Sequence, residues 1–127
     1  MNMQKEVFFS YIQDLLSNAI SVLKDEEYQR DVWFRQAGKE VSSYEDVITH
    51  FLSRCGSIFK DPSCMEQCGK ENYFLLKKLY DLVIEHIDLI ESRMSLDDLK
   101  EEELLDNPHW QDIQALAGEV YMRFIEK

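Results

Sequence analysis

Three histidines and three cysteines are the residues of this 127-residue chain best suited to chemistry. Cys64 and Cys68 stand four apart, so on a helix they share a face. With Cys55 and a histidine they have the donor types that zinc prefers. Zinc sites, however, draw short-spaced ligand pairs from two separate elements, and the chain has no second pair. His86 falls inside an apolar run. There a histidine can serve as a base or a ligand, but it is more often a core side chain hydrogen-bonded through its ring. His50 and Cys55 are five apart and cannot face one another squarely on one helix, so they make no thiolate–imidazole pair. Asp106 and His109 have i, i+3 spacing, but a di-metal bundle site needs matching acidic–histidine pairs on other helices. GxSxG, HExxH and glycine-rich phosphate loops are absent from the sequence. The expectation is a protein without catalytic residues, metal or cofactor, and therefore not an enzyme.

What remains is carboxylate charge. The formal net charge is −11. Residues 81–106 hold ten acids and two bases, a net of −8, whereas the rest of the chain nets only −3. Direct binding to nucleic acid or to an anionic membrane is disfavoured, because phosphate contacts need Lys and Arg. A basic protein partner is favoured, set against the plainer reading that the acids only keep a helical protein dispersed in water. Asp81, Glu85 and Asp88 recur at i, i+4 and i+7, which lines them along one helix face. They are the first candidates for partner binding. Asp97, Asp98, Glu101, Glu102 and Asp106 extend the set along the acidic stretch. Trp33 joins them as a candidate aromatic anchor, since Trp dominates interface energetics; its alternative role is to fold back over the core.

These residues must be positioned by helices. Residues 71–94 form the expected central helix. Leu75, Leu79, Leu82, Val83, His86 and Ile90 share a narrow band, which Leu76, Tyr80, Ile87, Leu89 and Met94 widen to about half the circumference. An arc that wide calls for cover on more than one side, so the helix is expected at the centre of a bundle. Residues 3–24 form a first helix through Phe8, Tyr11, Ile12, Leu15, Leu16, Ala19, Ile20 and Leu23, with Asp25, Glu26 and Glu27 available for a polar extension. Ser42 with Glu45 and Ser43 with Asp46 read as capping boxes. They open a helix carrying Tyr44, Val47, Ile48, Phe51, Leu52 and Cys55, with Gly56 as its stop. Asp61 before Pro62 predicts a short helix ending at Gly69. Ser95 with Asp98 predicts a short acidic helix. Asn107 before Pro108 opens the last helix, lined by Trp110, Ile113, Leu116, Ala117, Val120, Tyr121 and Phe124. The predicted fold is a single all-α domain: a compact helical bundle of four main helices plus one or two short ones, with an irregular segment at about 31–43.

Length and composition agree with this outline. A chain of this size buries roughly two-thirds of its unfolded surface and needs no staple to fold. Four Gly and two Pro suit long helices. Glu6 and Asp14 interrupt the apolar run that a signal peptide requires, and no stretch reaches the ~18 apolar residues of a membrane span. The odd cysteine count then reads as reduced thiols in a cytoplasmic protein.

The stretch VWFRQAGKEVSSYEDVITHF at residues 32–51 resembles a segment of small bacterial immunity proteins. Trp33, Gly38, Glu40, Val41, Ser42, Ser43, Tyr44, Glu45 and Asp46 carry the match: an aromatic, a glycine turn, a serine cap and an acidic helix start. In size and acidity the whole chain is similar to the immunity proteins of contact-dependent growth inhibition systems. The resemblance implies a cytoplasmic protein, monomeric alone, that binds a cognate toxin domain one-to-one and occludes its active site without covalent chemistry. The implied toxin is a basic nuclease. The alternative is a small acidic helical regulatory or adaptor protein with another basic partner.

Overall fold

In the computed structural model, which describes residues 5–30, 44–61, 63–93 and 105–125, every regular element of the described residues is a helix. They pack as an all-α bundle.

The first arm begins as α1 (Lys5–Leu15), passes through a π turn (Leu16–Ile20) and ends as α2 (Ser21–Leu23). Its buried face is Phe8, Ile12, Leu15, Leu16, Ala19, Ile20 and Leu23, as the periodicity predicts, with Tyr11 half-buried. The π turn is the departure. There the Ser21 N–H reaches the Leu16 carbonyl, five residues back. The Ser21 hydroxyl donates to the Ser17 carbonyl at 2.6 Å, supplying a local partner where the ladder changes register. The polar residues that follow do not prolong the arm. Asp25 turns extended, and its Oδ1 accepts from the Tyr28 N–H at 3.0 Å, capping a separate turn, α3 (Glu26–Tyr28).

α4 (Tyr44–Phe59) runs past Gly56, the expected stop, to Phe59. Gly56 has no positive φ, and the stripe Val47, Ile48, Phe51 and Cys55 continues to Ile58, which is fully buried. Burying an isoleucine contributes roughly 1.5–3 kcal/mol, against about 1 kcal/mol for a mid-helix glycine, so the helix continues. The serine capping boxes and the irregular segment at 31–43 lie outside the described residues. α5 (Cys64–Cys68) starts two residues later than an Asp61 N-cap implies. Asp61 instead makes an Asx turn, its Oδ1 accepting from the Ser63 N–H at 2.9 Å and from the Ser63 hydroxyl at 2.8 Å. Gly69 does end α5, at φ 89°, a conformation that favours glycine.

α6 (Lys70–Arg93) is the expected long helix but not the centre of the bundle. Its main contact is with the last helix, α7 (Pro108–Ile125), with smaller contacts to α5 and α4. The first arm takes the central place, packing on both α4 and α7. The apolar arc of α6 keeps its predicted width except at one edge. Leu76, Leu79, Val83 and His86 are buried; Leu75, Tyr80, Leu82 and Ile87 are half-buried; Leu89 is exposed. Met94 and the side chain of Ile90 lie outside the described residues. Asn107 caps α7 as expected, its Oδ1 accepting from the His109 N–H at 2.8 Å. Trp110, Ile113, Leu116, Ala117, Val120 and Phe124 are buried along its inner face.

Candidate functional site

The outward face of α6 gathers the exposed residues of most interest. At 100° per residue, Phe74, Asp81, Glu85 and Asp88 fall within about 60° of one another. All four are exposed, and Phe74 has half its surface in solvent, 52%. Ile84 and Leu89 flank them, also exposed. The face thus combines a bare aromatic, two bare aliphatics and three carboxylates, with exposed Lys78 between Glu85 and Leu89 as its cation.

Its carboxylates are lightly engaged. Lys77 Nζ lies 3.6 Å from Asp81 Oδ1, while resting over the rings of Phe59 and Tyr80 at 5.2 and 4.9 Å. His109 Nε2 lies 3.4 Å from Glu85 Oε2. Contacts of this length between exposed groups contribute little stability. Asp106 is exposed just before α7, at the end of that helix from which His109 reaches Glu85. The structure therefore brings Asp81, Glu85 and Asp88 onto one face, with Asp106 at the start of the adjoining helix. Trp33, Asp97, Asp98, Glu101 and Glu102 lie outside the described residues.

Behind this face sits His86, 1% exposed. Its ring stacks on His109, with centroids 6.0 Å apart and planes 14° apart, and tilts against Trp110 at 4.8 Å. Burial, helped by the neighbouring His109, pushes its pKa down to about 4, so the ring is neutral at pH 7. It is a core residue, wedged between two helices. His109 Nδ1 is buried without a hydrogen-bond partner among the described residues.

The cysteines also face inward. Cys55, Cys64 and Cys68 are all buried free thiols, with Cys64 and Cys68 Sγ atoms 3.9 Å apart. The contact with Cys68 and then burial raise the Cys64 pKa, and burial raises that of Cys55. Neutral buried thiols are poor nucleophiles and poor ligands. Among the described residues no three His, Cys, Asp or Glu side chains converge as a metal site requires.

Two polar constellations escape the sequence. Asp14 on α1 meets His50 and Arg54 on α4. His50 Nε2 and Arg54 Nε each lie 2.7 Å from Asp14 Oδ2, and Asn18 Nδ2 donates to Oδ1 at 2.6 Å. Arg54 also rests over the Tyr11 ring at 4.6 Å. Burial alone would raise the Asp14 pKa, but the bonds from Asn18, Arg54 and His50 outweigh it and hold the carboxyl below its ordinary value. With both oxygens occupied, this cluster is a clamp between α1 and α4. The second is Gln29, fully buried. Its Nε2 donates to the Val22 and Leu23 carbonyls, each at 2.8 Å, closing the end of α2. Its Oε1 accepts from Trp110 Nε1 at 3.0 Å and Gln114 Nε2 at 2.7 Å, tying that end to α7. The i, i+4 spacings of Asp14 with Asn18 and of His50 with Arg54 were visible, but which helix each pair meets is not a property of spacing. Gln29 had no signal beyond following the first arm.

Comparison with protein-family models, curated proteins and solved structures yields no match for this chain. Among the described residues no helix is long and apolar enough to cross a membrane.

Proposed function

We propose that this protein is an immunity protein, which binds a basic toxin domain through the outward face of α6 and covers its active site. The observation that carries the reading is the exposed line Asp81, Glu85 and Asp88, interleaved with exposed Phe74, Ile84 and Leu89 on a helix whose other side packs against α7. Apolar side chains left bare beside charges suit an interface core with a polar rim. The resemblance of residues 32–51 to immunity proteins and the net charge of −11 favour the same class. A carboxylate line can stand where a nuclease would hold phosphates, steering association and competing with nucleic acid. Phe74 and its neighbours would then govern the off-rate.

The test is stopped-flow association with the protein encoded by the neighbouring reading frame, which this reading expects to carry a toxin domain, for wild type and for the triple variant Asp81→Asn, Glu85→Gln, Asp88→Asn. These positions are exposed, so circular dichroism should remain helical. Association at low salt should slow by about tenfold or more and lose much of its salt dependence. Equal rates at low salt would remove this face from the interface. A neighbouring gene whose product is not a toxin, but which binds through the same face, would replace the immunity role with a regulatory or adaptor one.

A further inference from the structure

We infer that a cavity on the side of the bundle formed by α1, the π turn, α5 and α7 is a binding site for a neutral small molecule with an aromatic or acyl body and one hydrogen-bond donor. The cavity measures about 600 Å³, inside the range of pockets that enclose drug-sized ligands. Its floor reaches the core, for Phe8, Leu16 and Cys68 line it and are themselves buried. Phe9 and Ile125 stand at its mouth, 42% and 51% exposed.

Charge chooses the guest. Although 31% of the chain is charged, none of the described residues lining the cavity is. Among the described residues the lining itself offers a charged ligand no ion pair, because the charges nearby stand behind it: Lys24 Nζ over the Tyr121 ring at 4.9 Å and Asp61 Oδ2 3.5 Å from Gln67 Nε2. Desolvating a charge there is costly. Its oxygen- and nitrogen-bearing side chains are Gln13, Ser17, Gln67 and Tyr121. Gln67 Nε2 is taken up by the Ser63 hydroxyl at 2.8 Å and Asp61 Oδ2 at 3.5 Å, so what this side chain has left for a ligand is its carbonyl oxygen, an acceptor. A donor on the ligand completes it. The lining includes no residue of α6, so the inference stands apart from the immunity role.

The probe is N-phenyl-1-naphthylamine, which is neutral, carries two aromatic groups and one N–H, and fluoresces when desolvated. Its sulfonated relative 8-anilinonaphthalene-1-sulfonate serves as the charged control, with salt added to screen the net charge of −11. The neutral probe should bind saturably, one per chain, at least about tenfold more tightly than the sulfonate. Ser17→Trp, which fills the cavity from an exposed position, should abolish binding with helicity and Tm retained. Gln13→Glu should weaken it. Non-saturable binding, equal affinity for the sulfonate, or unchanged binding in a folded Ser17→Trp variant would each overturn the inference. So would a concentration-dependent dimer that excludes the probe, which would assign the cavity to a second copy of this chain.

Discussion

Acidification should reveal His86 as a buried neutral ring. Folding holds its pKa at about 4, against an ordinary value of 6.5 in the unfolded chain. Between those values the unfolded chain binds the proton more readily, so stability falls as pH falls. The contribution of the neutral ring is fully present above pH 6.5 and lost by about pH 4. At 1.36 kcal/mol per pH unit the full span is about 3 kcal/mol, with somewhat under half of it gone near pH 5.5. Asp14 acts in the same direction but lower, because its contribution is lost only as pH falls below the ordinary 3.8. Urea unfolding at a series of pH values from about 7 to about 4 isolates the histidine. The comparison is His86→Phe, which keeps a ring against Trp110 but cannot titrate. Wild type should lose about 3 kcal/mol relative to the variant over that span, whatever the variant's stability at neutral pH. Parallel profiles would show that His86 is not held neutral by the fold, and would undo its assignment to the core.

Three further outcomes follow from the packing. Gly56→Ala should stabilise by about 0.5–1 kcal/mol, because Gly56 is helical and an added Cβ meets nothing within 4 Å; destabilisation in thermal melts would contradict the continuous α4. Gln29→Leu strips hydrogen bonds from Trp110 Nε1, Gln114 and two carbonyls, and should cost about 3 kcal/mol or more in urea unfolding. A cost below about 1 kcal/mol would show that the network is not closed around this side chain. Cys55, Cys64 and Cys68 should react with a thiol reagent at the rate of unfolding rather than at the rate of free thiols; an immediate reaction in native buffer would place at least one of them at the surface.

Local information determined the helices. The buried faces of the first arm and of the last helix follow from their 3.6-residue apolar repeats, the Asn107–Pro108 start from capping chemistry, and the Gly69 stop from the conformation that glycine alone adopts without strain. The exposure of Asp81, Glu85 and Asp88 was equally legible, since carboxylates at that spacing must lie together and face water. Tertiary structure decided the rest. Gly56 reads as a stop only until Ile58 finds a core to enter, and Leu89 reads as buried only until α6 turns out to lie at the flank of the bundle. The Asp14–His50–Arg54 clamp and the Gln29 hub join residues 36 to 85 positions apart. Spacing along one helix carries no record of which neighbour it meets, because that choice is made by how whole apolar faces pair, and polar partners are then recruited wherever the packing brings their helices together.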